Sequence, residues 1–412
     1  MSQVFVTFRE VLSQGSELKT ILLCRVFSTA ASTGLVPFLV FTLTGHFRIS
    51  KGTAVLAVGL ILLLPRFFGD TVGRTVDLWG AHRVLVASGV ACALAYAGLA
   101  VIEASSSLGM VICLAILGIA NVGILISYRA FIGKFADDKN LTIRFSWLST
   151  AFNLGYVLGA SFAGTLIAIG SYKDVFVAGA TLSLISVVLI GPALKRYSKT
   201  SLAAPKFRPP PELQREGRAS LRPYLFNVAI TALLLQLIIL TVAFYFDEIH
   251  DSAALVAVFF SFQSLALIFT LPLTGAAFRE ANTKNLYRSF VLATVILAGG
   301  VTAFTLVPPH NGVLAVIVLA IVTTLSQAIA MPTSDATITK LAGREQLGLA
   351  MGRAANASAI GSAIGMALAA IVMEFSHNPD QLRALWFAAG ACVLLASVFL
   401  LFSPRASQEP SA

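Results

Sequence analysis

The chain has 412 residues, 57% of them hydrophobic and only 12% charged, with a formal net charge of +10. A soluble globular domain carries about 25% charged residues, so this chain cannot cover itself with a polar surface. The composition excludes a soluble protein and indicates an all-α integral membrane protein.

Crossing ~30 Å of hydrocarbon takes about 20 apolar residues. The apolar runs predict twelve spans, at 20–44, 51–74, 82–103, 107–134, 140–169, 173–194, 222–247, 252–278, 285–307, 312–339, 346–375 and 381–403. Ahead of them, segment 1–19 holds Val4, Phe5, Phe8, Val11 and Leu12 at near-helical spacing. It fits a short interfacial helix or a disordered lead. It lacks the short apolar core and small-residue cleavage site of a removable signal, so the first span is expected to stay.

Lys and Arg are distributed unevenly between the connections. The even-to-odd connections hold Arg74, Arg83, Lys134, Lys139, Arg144, Arg279, Lys284, Arg288, Lys340 and Arg344. The odd-to-even ones hold only Arg48, Lys51, Lys173 and Arg383. The positive-inside rule then places both termini in the cytoplasm, which accounts for the net charge without any nucleic acid. Cys24, Cys92, Cys113 and Cys392 all lie inside apolar runs, with no CxxC pair. They read as small apolar packers, and no metal or other cofactor is expected.

The second span runs into residues 65–85, where Arg66, Asp70, Arg74 and Asp77 recur at helical spacing. On one helix face such alternating charges can pair. Gly73 and Gly80 permit close backbone approach and a tight turn. A charged loop separating two spans is the plainer reading. Gly73-x-x-x-Asp77-x-x-Gly80-x-His82-Arg83 resembles the signature between the second and third helices of the major facilitator superfamily, departing at Leu78 and His82.

The fifth span carries Gly155-x-x-x-Gly159-Ala160-x-x-Ala163-Gly164. It resembles the G-x-x-x-G-P-x-x-G-G pattern of the superfamily's exporters, with Ala160 and Ala163 as departures. Small residues every four positions let helices approach closely. The resemblance implies that this face meets the eleventh span, at Gly361 and Gly365. The family's drug–proton antiporters usually carry an Arg early in the fourth span; Val111 to Leu117 holds none.

The longest connection, 195–221, is basic, and Pro205 and Pro209 to Pro211 should break any long element in it. It separates a first six-helix bundle (20–194) from a second (222–403), with a tail at 404–412. A shift of 206 residues puts Gly69 on Gly275, Asn121 on Gln327, Lys134 on Lys340, Gly155 on Gly361 and Gly159 on Gly365. A six-plus-six parallel repeat is the architecture of the resembling superfamily. The second copy of the 65–85 motif, Gly275 to Lys284, lacks the acid.

Chemistry is sparse. There is no GxxxxGK[ST] loop and no HExxH, and no acid–base pair for a membrane enzyme can be assembled, so no enzyme is expected. Charges within spans are costly and are candidates by default. Arg25 and Asp70 lie toward the cytoplasmic ends of their spans, as do Arg129, Asp335 and Arg353, and Arg66 lies deeper, one turn from Asp70. Arg25, Arg129 and Arg353 either snorkel to the headgroups or serve the site. Arg66, Asp70, Arg25 and Arg74 form a candidate charge network, with Asp70 as the proton site. Near mid-span Asn121, Asn153, Gln236, Gln263 and Gln327 either line a substrate cavity or bond between helices.

These readings converge on a twelve-helix secondary transporter in the plasma membrane, monomeric, with a small-molecule substrate, protons and the lipid bilayer as partners. The expected activity is export of a small, partly apolar molecule by alternating access with proton antiport. A carrier taking up or equilibrating a polar or anionic metabolite is the alternative. A receptor or scaffold on the same fold is the competitor from another class.

Overall fold

A computed structural model describes residues 16–49, 54, 57, 59, 63–102, 107–135, 139–201, 211–250, 253–307, 312–342, 345–375 and 379–402. The elements among them are all helical. Helix α1 (Ser16–Thr29) passes through a π-helical turn (Ala30–Gly34) into α2 (Val36–Phe47). Pro37 stands in the first turn of α2, where a missing N–H costs no helical bond. Together these elements fill the first predicted span. The second lies partly outside the described residues.

At its end Pro65 opens a 3₁₀ segment (Leu64–Phe68) that leads into α3 (Gly69–Trp79). Gly80 stops α3 at φ 89° and starts α4 (Ala81–Val101). That backbone region is open to glycine and strained for other residues. Helices α5 (Ser107–Phe135), α6 (Leu141–Ala168), α7 (Tyr172–Ser201), α8 (Pro211–His250), α9 (Ala253–Ala277), α10 (Thr283–Phe304), α11 (Gly312–Ala342), α12 (Leu347–Phe375) and α13 (Pro379–Phe402) follow. Among the described residues, ten helices, α4 to α13, are long and apolar enough to cross a membrane. They correspond to predicted spans three to twelve.

The connection at 195–221 is more helical than expected. α7 runs on to Ser201 and α8 already begins at Pro211, because Pro is tolerated in a first turn. Residues 1–15, 202–210 and 403–412 lie outside the described residues, and with them most of the N-terminal segment and all of the tail.

The chain forms two compact units. Unit 1 holds Met1–Ala136, Trp147–Arg208 and Glu345–Gly352; unit 2 holds Asp137–Ser146, Pro209–Arg344 and Arg353–Ala412. In unit 1, α4 packs against α5 and α7, α7 against α1, and α3 against α5. In unit 2, α10 packs against α11 and α13, α13 against α8, and α9 against α11. The pairings are those of one bundle repeated.

The core of unit 2 gathers Leu237, Phe259, Leu297, Phe304, Leu319 and Trp386. The Trp386 indole N–H donates to Thr241 Oγ1 at 2.7 Å, which satisfies the one polar atom of a fully buried ring. Phe269, Leu395 and Phe399 stay exposed on the outside, as side chains that face lipid can.

The glycine face of α6 closes onto α1. A Cβ on Gly155 would stand 2.9 Å from Thr29 Cβ, and one on Gly159 would stand 2.8 Å from Ala30 Cα. Gly164 lies beside Phe38 of α2. In unit 2 the space beside Gly361 is taken by Ala229 and that beside Gly365 by Leu233 and Leu237, all on α8. Each glycine face meets the first long helix of its own unit, where small residues such as Ala30 and Ala229 bring backbone against backbone.

Candidate functional site

Two glycine pairs build the site in unit 1. Gly69 and Gly73 lie one turn apart on α3, and Gly348 and Gly352 one turn apart at the start of α12. A Cβ on Gly73 would stand 2.8 Å from the Gly348 carbonyl carbon, and one on Gly352 would stand 2.6 Å from that of Gly69. The two backbones therefore touch, which no larger residue allows.

That contact carries the first turn of α12 to Asp77. The first amides of a helix have no acceptor within it, and the helix dipole makes that end positive. Asp77 Oδ1 accepts from Gly348 N–H at 2.9 Å and Oδ2 from Leu349 N–H at 2.8 Å. Lys134 Nζ, from α5, donates to Oδ1 at 3.0 Å. Both carboxylate oxygens are engaged, and the side chain is 16% exposed. Arg74 and Arg83 are exposed, on α3 and in the first turn of α4.

The corresponding place in unit 2 is built without an acid. Lys340, which the shift pairs with Lys134, donates to the Ala281 carbonyl at 2.9 Å. Gly275, the counterpart of Gly69, meets Ser146, the counterpart of Gly352. Ser146 Oγ donates to the Leu271 carbonyl at 2.7 Å.

Deeper in unit 1, Arg25 is 5% exposed. Its guanidinium lies 5.0 Å from the Tyr128 ring centroid and 5.1 Å from that of Phe152. Aromatic faces attract a cation at such distances. Burial this complete rules out snorkelling to the headgroups. Arg66 stands in the 3₁₀ segment, close enough to Arg129 for their charges to repel. Asp70 is half-buried in the first turn of α3, where its charge suits the positive helix end. The expected regular four-residue face therefore does not extend back to Arg66, because Pro65 tightens the turn before Asp70.

The mid-span amides divide between the units. In unit 1 Asn153 donates to the Ser149 carbonyl at 2.8 Å, while Asn121 Oδ1 is buried without a partner. In unit 2 Gln263 is buried, and Gln236 and Gln327 are half-buried. Sequence reasoning set Asp77 beside the start of the eleventh span near Gln346 but did not name Gly348, Leu349 or Lys134 as its partners, and it missed Tyr128 and Phe152 as the walls around Arg25. It also missed Asn227 of α8, fully buried with neither amide atom partnered. Gly348-x-x-x-Gly352 was a visible signal; the aromatic walls had none, since they come from separate helices.

Against known proteins, the sequence matches the family profile described as Major Facilitator Superfamily over residues 21–322 and 284–412. A search of curated protein sequences found no match. Among solved structures, the human organic anion transporter MFSD10 (TETRAN) is similar with a TM-score of 0.70 and 16% identity, covering 94% of this chain and 100% of that one. A bacterial homologue of the iron transporter ferroportin, in an outward-facing state, gives 0.72 and 17%, covering 94% and 98%. FucP in its outward conformation gives 0.67 and 13%, covering 93% and 98%. At these identities the likeness is one of fold.

Proposed function

The chain belongs to the major facilitator superfamily and is a multi-pass membrane transporter of the secondary-carrier type; from that premise we propose that it exports a small, partly apolar molecule by alternating access, driven by proton antiport. The observation that carries the reading is the Asp77 latch. A buried-edge carboxylate holding two backbone amides and a lysine is a bond set that can be made and broken as a unit.

The Lys and Arg asymmetry supports a plasma-membrane orientation with both termini cytoplasmic, which puts the latch on the cytoplasmic side. A latched cytoplasmic end accords with the outward-facing states named for the ferroportin homologue and FucP. Release of Asp77 would then accompany opening to the cytoplasm. Asn121, Asn153, Gln236, Gln263 and Gln327 would offer hydrogen bonds to a substrate of mixed polarity. The protein would work as a monomer.

Asp70 is the proposed proton carrier. A carboxyl that meets cations in one state and water in the other has different proton affinities in the two, and that difference is what coupling requires. The test is transport of a compound panel into inverted vesicles, with and without a pH gradient. Wild type should concentrate a substrate only when the gradient is imposed. Asp70→Asn should bind that substrate but lose the dependence. A folded Asp70→Asn protein that still concentrates substrate in response to pH would refute the coupling role.

A further inference from the structure

We propose that the outer face of α3 and the turn after it, with Arg74, Leu78, Trp79 and Arg83, form a docking surface for anionic phospholipid. Leu78 and Trp79 would lie in the headgroup layer, with the two guanidiniums on lipid phosphates. The proposal rests on the membrane-spanning helices and not on the export reading.

Helix α3 has two faces. Gly69, Gly73 and Val76 are buried, and Asp77 turns to α12. At ~100° per residue Thr71, Arg74 and Leu78 fall on the opposite face, and all three are exposed. Leu78 is 82% exposed and Trp79 61%. Two large apolar side chains so open to their surroundings are not held by this chain's own core, and leaving them in water is unfavourable. Leu78 is a departure from the superfamily signature, so the signature does not account for the pair.

Depth along the membrane identifies the neighbour. Gly80 separates Trp79 from α4, whose 21 residues, Ala81–Val101, are apolar enough to cross. At ~1.5 Å per residue they span ~31 Å, which matches the ~30 Å hydrocarbon core. Ala81 therefore stands at the edge of the core, and Trp79 and Leu78 stand just outside it, among headgroups. Trp concentrates in that layer, where its ring meets apolar chains and its N–H meets water.

Charge selects the lipid. Arg74 shares the outer face with Leu78, and Arg83 is exposed in the first turn of α4. Asp77 is the one acid between residues 71 and 83. It is already engaged by Lys134 and two α12 amides. The surface is therefore positive and complements an anionic headgroup layer, to which each nearby Lys or Arg adds attraction. Lipid on the outer face and α12 on the inner one would hold α3 from two sides, which ties the Asp77 latch to the surrounding lipid.

The test reads Trp79 directly. Of the three tryptophans, Trp386 is buried and Trp147 half-buried. The fluorescence lost in Trp79→Phe is the Trp79 signal. The full-length protein is reconstituted in bilayers of equal parts phosphatidylcholine and phosphatidylglycerol, with one lipid or the other brominated high in its chains. Bromine quenches only a ring it touches. Both lipids should quench Trp79, and phosphatidylglycerol should act as though enriched beside it by about 5- to 30-fold, as expected for one or two basic residues at an anionic surface. Arg74→Gln combined with Arg83→Gln should bring that preference near parity and leave quenching by phosphatidylcholine in place. About 1 M salt, where charges are screened within ~3 Å, should do the same. If Trp79→Phe does not fold, the arginine variant carries the test through total quenching, since it keeps the ring. An unquenched Trp79, the result expected under water or a protein partner, overturns the proposal. So do equal quenching by the two lipids in wild type and a preference untouched by the arginine variant.

Discussion

Asp77→Asn should release the latch while leaving the fold intact. The variant keeps the shape of the side chain but turns one acceptor into a donor. Of the two α12 amides now bonded at 2.9 and 2.8 Å, one would face an NH₂ group. Lys134 would lose its carboxylate at 3.0 Å. Hydrogen bonds to a charged acceptor contribute ~1.5–3 kcal/mol, and a carboxylate at a partly buried helix N-terminus up to ~2 kcal/mol. These overlap, because the same two amides supply both. A net loss of roughly 2–4 kcal/mol lowers the ratio of latched to unlatched molecules by about 30- to 1000-fold. The assay is labelling of an added cysteine, Asn121→Cys with the exposed Cys392 replaced by Ser and Cys24, Cys92 and Cys113 left buried, by an impermeant maleimide applied from each side of oriented vesicles. Labelling from the cytoplasmic side should rise and transport should slow, with the thermal midpoint nearly unchanged. Unchanged labelling together with full transport would show that Asp77 does not hold the gate.

Gly73→Ala should act in the same direction as Asp77→Asn with the charge retained, since its Cβ would press on the Gly348 backbone; the same labelling experiment reads it, and normal latching would mean that the contact of α3 with α12 is looser than described. Lys134→Met should have a smaller effect, since the two α12 amides still hold the carboxylate, so its labelling should lie between wild type and Asp77→Asn. Gly159→Leu should lower the thermal midpoint and the yield of folded protein by pushing α6 off Ala30 of α1. Gly191→Ala, with nothing within 4 Å of its Cβ, should leave stability unchanged or raise it by up to about 1 kcal/mol. Equal effects of the last two would refute the packing argument.

The sequence by itself determined what hydrophobic period and length dictate. Composition required a membrane, run length set eight of the ten long helices within a few residues while α7 and α8 run further into the connection between the bundles, and the shift of 206 anticipated that Gly69 and Gly275 would serve matching places. Asp77 and Gly73 were legible because local spacing and chemistry single them out. The tertiary structure decided everything that depends on which helices touch. It placed Gly348 and Leu349, 271 and 272 residues away from Asp77 along the chain, within reach of its carboxylate. It turned the glycine face of α6 toward α1, and it put rings from α5 and α6 beside Arg25. In lipid an apolar side chain gains little by choosing one apolar neighbour over another. Partner choice therefore rests on shape and on a few polar atoms, and these become complementary only when the helices are assembled.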